Sequence, residues 1–188
     1  MPVSSFSSQS PVSRRLLGGF LWLAVVFWGV GLGAKIFDLV VVAGAWSAAP
    51  PASFSLLPYG KSYPVNPGTF FQPLSAGILL ASLGALVCGW KSPLRRVLVM
   101  AVASFVVIWI LTPTVFWPII NELWGVHRGR IEMSHAEVIS LVRRWYVWDS
   151  LRVAAIAAGF VSSVQALIGQ ASIGQALIGS AALEREPV

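Results

Sequence analysis

Four long runs of apolar residues dominate this chain: residues 16–46, 74–90, 97–120 and 145–168. A helix rises 1.5 Å per residue, so a hydrocarbon core of about 30 Å needs about 20 apolar residues to cross it, and each run is near that length or longer. Within lipid, a backbone that satisfies its own hydrogen bonds segment by segment must be helical. Composition agrees, because 56% of residues are hydrophobic and 11% charged, whereas a soluble domain carries about 25% charged residues. Too little polar chain is left to build a soluble enzyme with a membrane tail. The expectation is an all-α, integral membrane four-helix bundle.

Residues 1–13 are rich in Ser and read as a mobile tail, residues 14–169 as the four-helix transmembrane domain, and residues 170–188 as a low-complexity tail. The first run is too long, and too rich in Trp at Trp22 and Trp28, for a cleaved signal sequence. It continues past Lys35 and Asp38 to Trp46. Between Pro50 and Pro73 the density of Pro forbids a regular helix and predicts a long outer loop between helices 1 and 2. Its aromatic residues Phe54, Tyr59, Tyr63, Phe70 and Phe71 suggest a lid packed over the end of the bundle. The second run, with Gly77, Ala81, Ser82, Gly84 and Ala85, suits close helix approach. Pro113 and Pro118 should bend the third and turn Asn121 inward. Ser134-x-x-Glu137 fits a capping box that opens the last helix. The fivefold-spaced Gln-Ala-x-Ile-Gly repeat from Gln165 to Gly179 matches neither a helical nor a strand period and reads as duplication.

The net charge of +6 would suggest nucleic acid in a soluble protein, but here the basic residues flank apolar runs and set orientation instead. No nucleic-acid partner is expected. Arg14, Arg15, Lys91, Arg95, Arg96 and Arg185 lie at one end, against Lys61, Arg128, Arg130, Arg143 and Arg144 at the other. The basic turn from Lys91 to Arg96 places both termini in the cytoplasm, with a bacterial inner membrane as the expected location. The single Cys88 leaves no intrachain disulfide to form.

Chemistry is expected where charge enters the spans. Lys35 and Asp38 in the first run, and Asp149 and Arg152 in the fourth, are each spaced i,i+3, so acid and base share a helix face. Lys35 lies about 30 Å beyond Arg15 along a helix, which puts it near the far edge of the hydrocarbon. Asp149, Arg152 and Asn121 fall at the same level. Such groups mark a polar pocket; the alternative is two interface pairs whose cations snorkel to headgroups. Glu132-x-x-His135 has metal-site spacing but lacks the further copies such sites require, so no metal is expected. Gly60-Lys61-Ser62 lacks the earlier Gly of a phosphate loop. Gly29 and Gly33 suggest helix packing.

The segment from Thr112 through Pro113, Phe116-Trp117-Pro118 and Asn121-Glu122-Leu123, followed by Arg144-Trp145-x-x-Trp148-Asp149-x-x-Arg152, resembles the small four-span membrane proteins related to anthrone oxygenases. The resemblance implies a membrane helix bundle and, where such proteins have an assigned activity, oxygenation of a polycyclic phenolic carbon without an obvious metal or flavin. It implies no cofactor. It matches Asn121, Trp145 and Arg152 to the family pattern, while Asp149 and the long Pro-rich loop depart from it. The enzyme reading gives Asp38 and Asp149 catalytic proton transfer, and assigns Lys35, Asn121, Trp145 and Arg152 to the binding of a lipophilic phenolic or anionic molecule. The competing reading is a non-catalytic accessory or structural subunit, which packs into a larger membrane complex through its second span. A transporter is third and would need a homo-oligomer to form a pathway.

Overall fold

The computed structural model describes residues 11–58 and 66–183. Among these residues every regular element is helical, and four stretches are long and apolar enough to cross a membrane: Val12–Trp46, Pro67–Gly89, Arg95–His127 and His135–Ala176. The first comprises α1 (Pro11–Phe37), a π-helical turn (Asp38–Val42) and a last α-turn, α2 (Ala43–Trp46). The second is α3 (Pro67–Gly89). The third joins α4 (Arg95–Leu111) to α5 (Trp117–His127) through a second π-helical turn (Thr112–Phe116). The fourth is α6 (His135–Leu183).

Large residues set on small ones lock the neighbours together. Phe20 and Phe27 of α1, seven apart, lie over Gly84 and Gly77 of α3, also seven apart, and the reversed order makes the two helices antiparallel. Trp28 ties three helices: its ring lies over Gly159 of α6, and its Nε1 donates to Ser82 Oγ of α3 at 3.1 Å. Gly29 rests against Phe160, but Gly33 faces open space, so the two do not act as one packing motif. At one end Gln170 Nε2 donates to the Arg14 carbonyl at 2.9 Å, and Leu94 of the basic turn lies against Gly169. At the other, Phe54 and Leu57 pack with Trp46, Phe116, Leu123 and Trp145 in one buried cluster.

Two boundaries differ from expectation. α3 starts at Pro67, so Pro67 and Pro73 belong to a helix and not to the loop. The reason is local: Pro67 occupies a first-turn position, where its missing N–H costs nothing, and Asn66 Oδ1 caps by accepting from Thr69 N at 3.2 Å. Pro73 gives up one backbone bond, a loss that membrane helices absorb. The Gln-Ala-x-Ile-Gly repeat is helical and continues α6 to Leu183, which makes that helix about 70 Å long. The capping box forms as spaced, with Ser134 N donating to Glu137 Oε2 at 2.7 Å and Glu137 N to Ser134 Oγ at 3.3 Å. Tyr59, Gly60, Lys61, Ser62, Tyr63 and Arg185, and most of the N-terminal tail, lie outside the described residues.

The Trp28 seat leaves no room for added volume. A Cβ at Gly159 would stand 2.6 Å from the indole, so Gly159→Ala should destabilise the detergent-solubilised protein by about 2 kcal/mol. Gly33→Ala, facing open space, should leave it unchanged or slightly raise it. Equal unfolding midpoints for the two variants would contradict this packing.

Candidate functional site

Between the apolar layer around Trp28 and the aromatic layer around Trp46 and Phe116, the helices bring four charged side chains together. Asp149 of α6 is fully buried. Its Oδ1 accepts from Lys35 Nζ of α1 at 3.0 Å and from Arg152 Nε at 2.9 Å, with a further contact from the Arg152 guanidinium. Lys35 Nζ also pairs with Asp38. Asp149 Oδ2 has no hydrogen-bond partner among the described residues. Two i,i+3 pairs on separate helices thus become one four-residue network, joined by Lys35–Asp149. The interface reading required each cation to reach headgroups on its own, but Lys35 is 4% exposed.

Aromatic rings shape the surroundings. Lys35 Nζ lies 5.5 Å from the Trp145 ring centroid, and the Arg152 guanidinium carbon lies 3.6 Å from that of Phe116. Trp145 meets Trp46 edge-on at 5.0 Å. These contacts hold the cations by their ring faces while their N–H groups meet carboxylates. The first π-helical turn begins at Asp38 and the second ends at Phe116, so both irregular turns carry a residue of the site, as such turns commonly do.

A cavity of about 730 Å³ opens beside this network. Lys35, Asp38, Arg152 and Trp145 line it, and most of the rest of its wall is apolar or aromatic, including Trp28, Phe71, Phe105 and Phe116. Asp149 does not line it; the carboxylate sits behind the cations and holds them. Gln72, Ser75 and Thr112 add neutral polar groups to the wall. No sequence signal singled out Gln72 or Ser75, since lone polar residues in an apolar helix carry no spacing of their own. The aromatic walls were visible only as an excess of Trp and Phe.

Asn121 is not brought to this cavity's charged end. Ile119, Leu123, Trp124 and Gly125 are the buried positions of α5, and Asn121 itself is exposed. The prolines do not turn it inward: Pro113 falls in the π-helical turn at Thr112–Phe116 and Pro118 at the start of α5. Glu132 and His135 are both exposed. Among the described residues no three of His, Cys, Asp and Glu gather into a metal-binding group.

Comparison with protein families matches residues 62–162 to the anthrone oxygenase family, more than half of the chain. The chain belongs to the anthrone oxygenase family. The matched region holds Trp145, Asp149 and Arg152, whereas Lys35 and Asp38 on α1 precede it. No curated protein and no solved structure matches the chain. Half of this family member's charged network therefore comes from a helix outside the matched region.

Asp149 can be tested as the centre of the network. Removing one partner of a buried ionic group leaves the others uncompensated, so Asp149→Leu should cost about 3–5 kcal/mol. Adding Lys35→Met should recover part of that loss. Asp38→Leu, at a site whose carboxylate is partly exposed to the cavity, should cost less than Asp149→Leu. Additive losses in the Lys35/Asp149 pair, measured by unfolding in detergent, would rule out the coupling.

Proposed function

We propose that this chain is an oxygenase-like membrane enzyme that binds a lipophilic phenolic or enolisable molecule in the 730 Å³ cavity. The observation that carries the reading is the composition of the cavity wall: apolar and aromatic almost throughout, with two cations and one carboxylate at one end. A flat polycyclic ketone such as an anthrone, the substrate in the family's name, suits such a wall by apolar burial.

Arg152 and Lys35 hold the substrate oxygen, and Asp38 takes the proton. The network of two cations and two carboxylates is formally neutral. A substrate entering as a preformed anion would leave it with one negative charge too many. A neutral substrate that passes its proton to Asp38 makes a substrate oxyanion while the carboxylate becomes neutral, so the total does not change. In a medium of low dielectric, conserving charge matters more than in water. The electron-rich anion then reacts with dioxygen at carbon. One oxygen atom remains on that carbon as a carbonyl; the other leaves as water with the two hydrogens the carbon loses. Asp149 acts as a positioning residue, fixing both cations from behind.

The small residues of α3, which motivated the accessory reading, are occupied within the chain, because Gly77 and Gly84 seat Phe27 and Phe20. For orientation we propose cytoplasmic termini in a bacterial inner membrane, with the cavity toward the outer side, on the strength of Arg14, Arg15 and the turn from Lys91 to Arg96. In a Cys88→Ser background, an impermeant thiol reagent added to intact cells should label Ser55→Cys and spare Lys91→Cys. The reverse pattern would invert the topology.

With anthrone as probe and oxygen uptake as readout, Asp38→Asn should slow turnover about a hundredfold or more while binding persists, the usual scale for a lost general base. Arg152→Lys should weaken binding and Arg152→Ala should abolish it, since Lys keeps charge but loses the planar fork. Undiminished uptake in Asp38→Asn, or undiminished binding in folded Arg152→Ala, would overturn the assignment.

A further inference from the structure

A second cavity, of about 760 Å³, lies against the end of α5 and is lined by Trp117, Asn121, Trp124, Arg128, Arg130 and Ile131. It shares Trp117 and Ile120 with the first cavity but none of its charged groups. We infer that it binds the phosphate of a phospholipid headgroup, through Arg128, Arg130 and the indole N–H of Trp124.

Depth comes first. The third candidate span ends at His127, so the residues that follow stand where hydrocarbon gives way to headgroups. Trp117, 60% exposed on that span, lies about 15 Å back from its end and extends the cavity wall toward the apolar side. The backbone then turns sharply: Gly129 adopts φ +65°, and Arg130 N and Ile131 N both donate to the Gly125 carbonyl, at 2.8 and 3.2 Å. That left-handed residue ends the helix and returns Arg130 to the same groove as Arg128.

The side chains then meet the needs of a phosphate. Among the described residues neither Arg128 nor Arg130 has an ion pair, although Glu122 and Glu132 are near in sequence. Arg128 lies over the Trp124 ring at 4.8 Å, and His127 meets that ring edge-on at 5.3 Å. Trp124 is 9% exposed, and its Nε1 is buried without an acceptor. A buried donor without an acceptor is costly. Trp124 lines the cavity, so this N–H is the donor left over for a second phosphate oxygen beside Arg128. Asn121 at the rim supplies a neutral amide. A free phosphate ion offers the same oxygens, but the apolar wall of Trp117, Ile120 and Ile131 has use only for a ligand that carries acyl chains.

The test uses the purified, delipidated full chain and native mass spectrometry, titrated separately with phosphatidylglycerol and with inorganic phosphate. Arg128→Gln/Arg130→Gln should lower phosphatidylglycerol retention about thirtyfold, taking about fivefold for each basic residue near an anionic surface. Trp124→Phe should lower it less. Arg143→Gln/Arg144→Gln, an exposed pair at the same end, should leave it unchanged. Equal losses in the two Arg pairs would show diffuse attraction and overturn the site, as would full retention in Arg128→Gln/Arg130→Gln with an unshifted melting temperature. Inorganic phosphate that displaces the lipid at equal concentration would overturn the headgroup assignment.

Discussion

A carboxylate with no exposure, on a helix apolar enough to cross a membrane, cannot stay ionised without cations beside it. Asp149 has two, and they come from different helices. Arg152 follows from its own helix by i,i+3 spacing; Lys35 has to be delivered by α1. That requirement fixes the height at which α1 stands against α6, since a one-turn slip of about 5.4 Å would break the 3.0 Å contact. Buried ion pairs are weak sources of net stability, because desolvation offsets most of their attraction. Here the network sets register.

The large-on-small contacts agree with that register and are independent of it. Trp28 lies seven residues before Lys35, two turns away on nearly the same face. Its seat on Gly159 lies seven residues beyond Arg152 on the antiparallel helix. The Lys35–Asp149 contact lies seven residues from Trp28 on α1 and ten from Gly159 on α6, about 10 and 15 Å, a difference the long Lys side chain spans. Trp28, spanning α1, α3 and α6, also forms part of the cavity wall. Below it the helices close on small residues; above it the π-helical turns at Asp38–Val42 and Thr112–Phe116 widen the backbones. The cavity lies at this change from tight to wide packing.

How far the sequence could be read follows from the reach of each signal. The four spans were legible because hydrophobic length is a local property, and the start of α6 because Ser134 and Glu137 are three residues apart. The two charged pairs were legible for the same reason. Their union through Lys35 and Asp149 was not, since no periodicity links residues more than a hundred positions apart. Asn121 is not legible in this way: Pro113 falls in a π-helical turn and Pro118 at the start of α5, and Asn121 stays exposed. Pro67 and Pro73 look like loop by Pro density alone; the Asn66 cap, a single side-chain contact, is what admits them to the helix.

The position of the charged end relative to lipid decides what the cavity can select. A lipophilic molecule partitions into the bilayer whatever its polar groups, so apolar walls alone would admit any chain or ring that fits. Lys35 and Arg152 lie within the helices, held from behind by Asp149 and flanked by Trp145 and Phe116, so their interactions with a ligand oxygen are little screened by water. An alkyl chain placed there would separate Lys35 from Asp38 and offer nothing in return. On the function proposed above, a ligand with an acidic oxygen would replace Asp38 as the partner of Lys35 once Asp38 has taken its proton. On the same proposal, the exchange that selects such a ligand would also generate its reactive anion, making recognition and activation one step.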